Sequence, residues 1–212
     1  MRQRFGDLLR QEQASSAAEF ALVLPLLLIF LLGLIDVGRL MWTWNQAEKA
    51  TQMGVRYAIV TNPIWAGMKN YDFVATGNLV PGEPVPTTFF GKVTCSWSDS
   101  CGTCVGSFCS GTKAKDYDSA AFSSLVDHMK KFFPGMVDSI DPTGRTKVLV
   151  TFSNSGLGYV GDPNGAAVAP LVTVSLQNVR FKPFFLLSQQ AITLPPFQSS
   201  LTFEDGQGTV SN

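Results

Sequence analysis

The sequence predicts an α+β protein: one long N-terminal helix that crosses a membrane and runs on into a domain built from an antiparallel sheet and one further amphipathic helix. Three observations predict it. An unbroken apolar run stands near the N-terminus, a helical spacing of apolar residues continues past it, and the last third changes to the alternating period of strands.

From Phe20 to Ile35, sixteen consecutive residues carry no charged or polar side chain. At about 1.5 Å per residue the run covers roughly 24 Å. Extension through Ala17 and Gly38 brings it to the ~20 residues that a hydrocarbon core requires. A helix apolar all round has no natural place in a soluble domain of this size. A cleaved secretory signal needs small residues at an Ala-x-Ala-like site beyond the run. The sequence there is Ile35-Asp36-Val37-Gly38-Arg39-Leu40, so the run extended from Ala17 to Gly38 is read as a retained transmembrane helix. Arg2, Arg4 and Arg10 precede the span and only Arg39 and Lys49 fall in the first fifteen residues after it, which favours an inside N-terminus and an outside C-terminal part. Asp36 and Arg39, at i and i+3, either pair where the helix leaves the lipid or are solvated separately there.

The helical signal continues through residues 39–62, where Leu40, Trp44, Ala47, Thr51, Val55 and Ala58 fall at helical spacing. This stripe lies beyond the bilayer and needs a protein surface to cover it. Asn62-Pro63 supplies the stop, because proline disfavours the α-conformation in the residue before it. The result is one helix of about 45 residues.

Residues 63–115 are rich in glycine, proline, serine and threonine and read as loops and short strands. Among them stand all four cysteines, Cys95, Cys101, Cys104 and Cys109. In an oxidising compartment they form two disulfides, with three connectivities open. The competing reading is zinc, since Cys101-x-x-Cys104 is half of a knuckle; no second such pair and no nearby histidine completes it.

From Tyr117 to Phe133 an amphipathic helix is predicted, with Ala121, Phe122, Leu125, Val126, Met129, Phe132 and Phe133 on its apolar face and Pro134-Gly135 after it. His128, the chain's one histidine, sits off that face beside Lys130 and Lys131 and is expected to be solvated. Lys147 to Phe152 and Leu171 to Leu176 read as strands. Phe181 to Leu187 and Ile192 to Phe203 add extended segments interrupted by Pro183, Pro195 and Pro196. An antiparallel sheet packed on the long helix is the simplest arrangement.

Little in the chain points to catalysis. Sixteen basic and sixteen acidic residues cancel, so no net field favours nucleic acid. Gly156-x-Gly158-x-x-Gly161 follows a strand, but a dinucleotide site needs those glycines to open a helix. Asp162-Pro163-Asn164-Gly165 follows instead and breaks any such helix. Asp162 and Asn164 lack the remaining ligands of a calcium loop. No nucleophile elbow or zinc-protease motif is present. No enzyme, metal or cofactor is expected.

The stretch SSAAEFALVLPLLLIFLLGLIDVGRLMWTWNQAEKATQMGVRYA, with a basic leader before it, combines Glu19-Phe20-Ala21, a leucine run with Pro25, an acidic residue before Gly38-Arg39, and a small-residue helix ending near Tyr57-Ala58. It closely resembles the TadE-like family of pseudopilins from Tad (Flp) pilus systems. The Val-x-Val pattern followed by Phe181-Lys182-Pro183 is similar, more loosely, to the family's end. The cysteine loop at 95–109 has no counterpart in this resemblance.

The resemblance implies a pilin-like fold and a precursor cut by a prepilin peptidase on the cytoplasmic face. The cut would fall between Ala14 and Ser15, making Glu19 the fifth residue of the mature chain. The family generally has glycine before the cut, where this chain has Ala14. The implied organisation is a leader at 1–14, a transmembrane helix at 15–38, its periplasmic continuation at 39–62 and a periplasmic domain at 63–212. The implied partners are other Tad pilins and pseudopilins, the prepilin peptidase, the inner-membrane assembly platform and membrane lipid, with no nucleic acid. Glu19 near the hydrocarbon boundary is costly without a partner, and a freshly exposed α-amine supplies one; snorkelling to the interface is the alternative. The rival to a minor pilin is an uncleaved single-pass scaffold presenting a periplasmic protein-binding domain.

Overall fold

The computed structural model describes residues 12–68, 73–75, 77–97, 100–110, 116–139, 147–161, 168–185 and 190–203. The first eleven residues of the expected leader and the expected turn at Asp162 to Gly165 lie outside them. Helix α1 runs from Glu12 to Val60, 49 residues, or about 74 Å. Pro25 lies inside it and lacks the N–H that would bond the carbonyl one turn back. The helix closes as the sequence predicts. Thr61 donates its N–H (3.2 Å) and its hydroxyl (2.8 Å) to the Tyr57 carbonyl, and Pro63 follows.

The chain divides into two compact units, one of Met1–Thr43 with Phe181–Ile192, the other of Trp44–Arg180 with Thr193–Asn212. In the first, the surface of α1 from Phe20 to Ile35 is almost wholly apolar and exposed, with Gly33 buried. This is the one helix among the described residues long and apolar enough to cross a membrane.

The second unit holds a five-stranded antiparallel sheet. Its strands are β1 (Lys92–Ser96), β2 (Ser100–Val105), β3 (Lys147–Ser153), β4 (Leu171–Gln177) and, after the short strands β5 (Arg180–Phe181) and β6 (Ile192–Thr193), β7 (Phe197–Thr202). The order across the sheet is β2-β1-β3-β4-β7, while β5 and β6 pair with each other. Facing pairs Val148 with Leu176, Val150 with Val174 and Phe152 with Val172 are buried on one side, which is the alternation that their sequence shows. On the other side Thr94 and Thr151 hydroxyls meet across β1 and β3 at 3.0 Å.

Against the buried face lie the Trp44–Val60 part of α1 and helix α2, Ser119–Lys130. Asp118 caps α2, its carboxylate accepting from the N–H groups of Ala120 and Ala121 at 2.9 Å each. Phe122, Leu125, Val126 and Met129 are buried, as the apolar stripe predicts. On α1 the covered residues are Ala47, Ala50, Thr51, Gly54, Val55 and Ala58. Leu40 is half-buried, and Trp44 stands at the margin with its ring edge-on to Phe197, 4.9 Å between centroids. Small residues let α1 come close: a Cβ on Gly54 would lie 2.9 Å from Met129 Cγ and Sδ and 3.4 Å from Val174 Cγ1. Trp65, fully buried, stacks on Phe90 at 5.2 Å and meets Phe108 edge-on at 5.3 Å, joining the loop after α1 to the segments around β1 and β2.

Candidate functional site

The residues with functional promise lie along the N-terminal half of α1. Ala14 and Ser15 fall within the helix backbone. Glu19 is exposed one residue before the apolar surface begins. The charged pair at the far end of that surface is better built. Asp36 is only 3% exposed, and its Oδ1 and Oδ2 accept hydrogen bonds from the backbone N–H groups of Phe184 (2.9 Å) and Phe185 (2.8 Å). Arg39 Nη1 approaches Asp36 Oδ1 at 3.5 Å without making a hydrogen bond. The Arg39 guanidinium lies 3.6 Å from the centroid of the Phe184 ring and 5.5 Å from that of Phe181.

Of the two alternatives read from the sequence for Asp36 and Arg39, the pair is therefore the one formed. The sequence reading did not find its partners. Two N–H donors to one carboxylate are charge-assisted bonds, and a cation on an aromatic face keeps a favourable electrostatic contact in a poorly solvated place. Phe181 to Leu187 reads as an extended segment; among its described residues, 181–185, Phe181 is in a strand and residues 182–185 are irregular. Pro183 has no N–H to give a ladder, and the next two N–H groups go to Asp36.

All four cysteines are joined in disulfides, Cys95 with Cys101 and Cys104 with Cys109, so none is left as a thiolate for zinc. The first crosses from β1 to β2 at an irregularity in their register between Thr94 and Ser96. The second ties β2 to the short 3₁₀ turn Ser107–Ser110, whose Phe108 is buried.

The three glycines of the motif lie in the chain that follows β3. Gly156, Gly158 and Gly161 all have positive φ, 75°, 87° and 78°, the first two in bends and the third in a turn. Asn154 braces the loop, accepting from the Gly156 N–H at 2.8 Å and donating to the carbonyls of Val85 and Phe90 at 2.9 and 3.0 Å. Among the described residues no group of three or more metal-ligating side chains is gathered. His128 departs from the solvated position expected of it, as its Nε2 is buried without a hydrogen-bond partner.

Residues 14–56 match the family model of TadE-like protein. No curated protein and no solved structure matches the chain. The TadE-like segment coincides with α1, from two residues after its start to one turn before its end, and links the chain to Tad pilus systems in general. Asp36 and Arg39 lie inside the TadE-like segment, whereas Phe184, Phe185, the sheet and both disulfides lie outside it. The apolar half of that helix fits a single-pass membrane protein.

Proposed function

We propose that this chain is a minor pilin, or pseudopilin, that acts in assembly of a Tad-type pilus after a prepilin peptidase removes its leader between Ala14 and Ser15. The observation that carries the reading is the TadE-like match over 14–56 on one unbroken helix. A helix that leaves the bilayer without a break can carry its domain along when a subunit moves from membrane to fibre. Glu19 is exposed at the start of the apolar surface, where a new α-amine on a neighbouring subunit could receive its charge.

In this reading the N-terminus is cytoplasmic and the sheet-bearing unit is periplasmic, an orientation supported by Arg2, Arg4 and Arg10 ahead of the span and by the two disulfides. The role is structural and involves no turnover and no cofactor. Its partners are other Tad pilins and pseudopilins, the peptidase and the inner-membrane platform. N-terminal sequencing of the protein extracted from membranes tests it. A mature chain beginning at Ser15 supports the pilin, whereas an intact Met1 on functional protein leaves the uncleaved scaffold, a reading favoured by Ala14 standing where glycine is usual.

A further inference from the structure

The apolar surface of α1 does not stop at the charged node. Trp42, one turn further on, is 67% exposed, and beside Asp36 the rings of Phe184 and Phe185 are 68% and 50% exposed. These two rings are not on a free loop. Their backbone N–H groups are the ones held by the Asp36 carboxylate, and Arg39 lies on the face of Phe184. Both are thus fixed at the level of residues 36–39 of the helix, and the segment that carries them belongs to the same compact unit as the membrane-spanning part of α1.

That level can be located. A hydrocarbon core about 30 Å thick takes about 20 helical residues at about 1.5 Å each. Counted from Glu19, the core ends near Arg39. Phe184, Phe185 and Trp42 therefore fall in the layer between acyl chains and headgroups on the C-terminal side of the span, where tryptophan is favoured and where phenylalanine seats the apolar side of interfacial segments. Lys182, exposed two residues before Phe184, adds a cation suited to lipid phosphate, and Arg39 keeps its charge against an aromatic face instead of in hydrocarbon.

We propose that Phe181–Phe185 is a second membrane anchor, clipped to the transmembrane helix by Asp36 and seated in the lipid interface through Phe184 and Phe185. The occupant of this aromatic surface is lipid because the surface continues the lipid-facing side of α1 at the depth where that side ends. The inference rests on the apolar part of α1 being a membrane span and is independent of cleavage or pilus assembly. It gives the compact unit that holds the span a second attachment to the same membrane.

The test is photo-crosslinking of the full chain in vesicles of phosphatidylethanolamine and phosphatidylglycerol containing a labelled lipid. Benzoylphenylalanine replaces Ile29, Phe184 or Phe185, one position at a time. Lipid adducts are expected at all three positions, with loss at 184 and 185 but not at 29 when Asp36→Leu is added. Adducts to a second copy of the chain at 184 and 185, in place of lipid, would overturn the anchor in favour of a subunit contact. An absence of adducts there, with lipid labelling kept at 29, would overturn it in favour of a water-facing loop. Lack of lipid labelling at 29 would instead reject the span itself, and the anchor with it.

Discussion

The imidazole of His128 lies stacked on the ring of Tyr57, with centroids 4.6 Å and planes 22° apart. The contact joins α2 to the last turn of α1, with Phe132 a further 5.5 Å neighbour of the imidazole. Burial lowers the His128 pKa, and the positive charge of Lys131 lowers it further.

This predicts an acid-sensitive junction. The folded pKa lies below the unfolded value of about 6.5, so as the pH falls the unfolded chain takes up a proton before the folded one does. The contribution to stability is whole above about pH 6.5 and is lost as pH falls from there towards the folded value. Thermal midpoints of detergent-solubilised protein, compared at about pH 7.5 and about pH 5.5, where carboxylates titrate little, should fall on acidification. His128→Phe should flatten that dependence. An unchanged pH slope in the variant would mean that the destabilising proton binds elsewhere.

The disulfide pairing predicts that non-reducing peptide mapping finds Cys95 with Cys101 and Cys104 with Cys109 and no free thiol. The closed loops are short, with sequence separations of 6 and 5, and the chain-entropy argument gives about 2 kcal/mol for each. Replacing Cys104 and Cys109 together by serine should lower the thermal midpoint by a few degrees, while the apolar core around Trp65 remains. Four alkylatable thiols in protein taken from membranes would contradict both the pairing and the oxidising location.

What could be read from the sequence and what could not divides along sequence distance. The apolar run, the stop at Pro63, the stripe of α2 and the alternation of β3 and β4 are local patterns, and each appears where its period places it. Strands β1 and β2 were legible only as loops and short strands, because Gly102, Ser96, Ser100 and the cysteines carry no alternating apolar signal. The pairing of the cysteines was open among three connectivities, since spacing alone does not choose between them. Asp36 was visible as a charge at the end of the span, but its backbone partners lie 148 and 149 residues away, and nothing local points to them. His128 was misplaced for the same reason. A helical wheel shows it beside two lysines, whereas the Tyr57 ring comes from another element.

The close approach of α1 to its neighbours predicts a size limit at Gly54. A Cβ there would press on the flexible end of Met129, a fully buried residue. Gly54→Ala should be nearly neutral, because the helix propensity gained, about 1 kcal/mol, offsets the shift asked of Met129. Gly54→Leu should cost about 1–3 kcal/mol by overpacking, and Met129→Ala added to it should recover part of the loss. Chemical denaturation of the unaltered protein, Gly54→Leu, Met129→Ala and the double variant as a double-mutant cycle reads the coupling. Additive effects would show that the two side chains do not share the space.

The leader predicts two separable steps in the proposed pilin role. If the peptidase reads the residue before the cut, Ala14→Gly should speed processing, since glycine is what the family generally offers there, and Ala14→Leu should block it. Glu19 acts afterwards, because the amine that would receive its charge exists only once the leader is gone. Glu19→Ala should therefore leave cleavage intact and impair incorporation. Both steps have to be measured at equal expression, cleavage by gel mobility and N-terminal sequencing, incorporation by co-purification with other pilins. A Glu19→Ala protein that is cleaved and incorporated normally would assign the glutamate to snorkelling at the interface. An Ala14→Leu protein that keeps its leader and still supports pilus assembly would remove the pilin mechanism and leave a membrane-anchored scaffold.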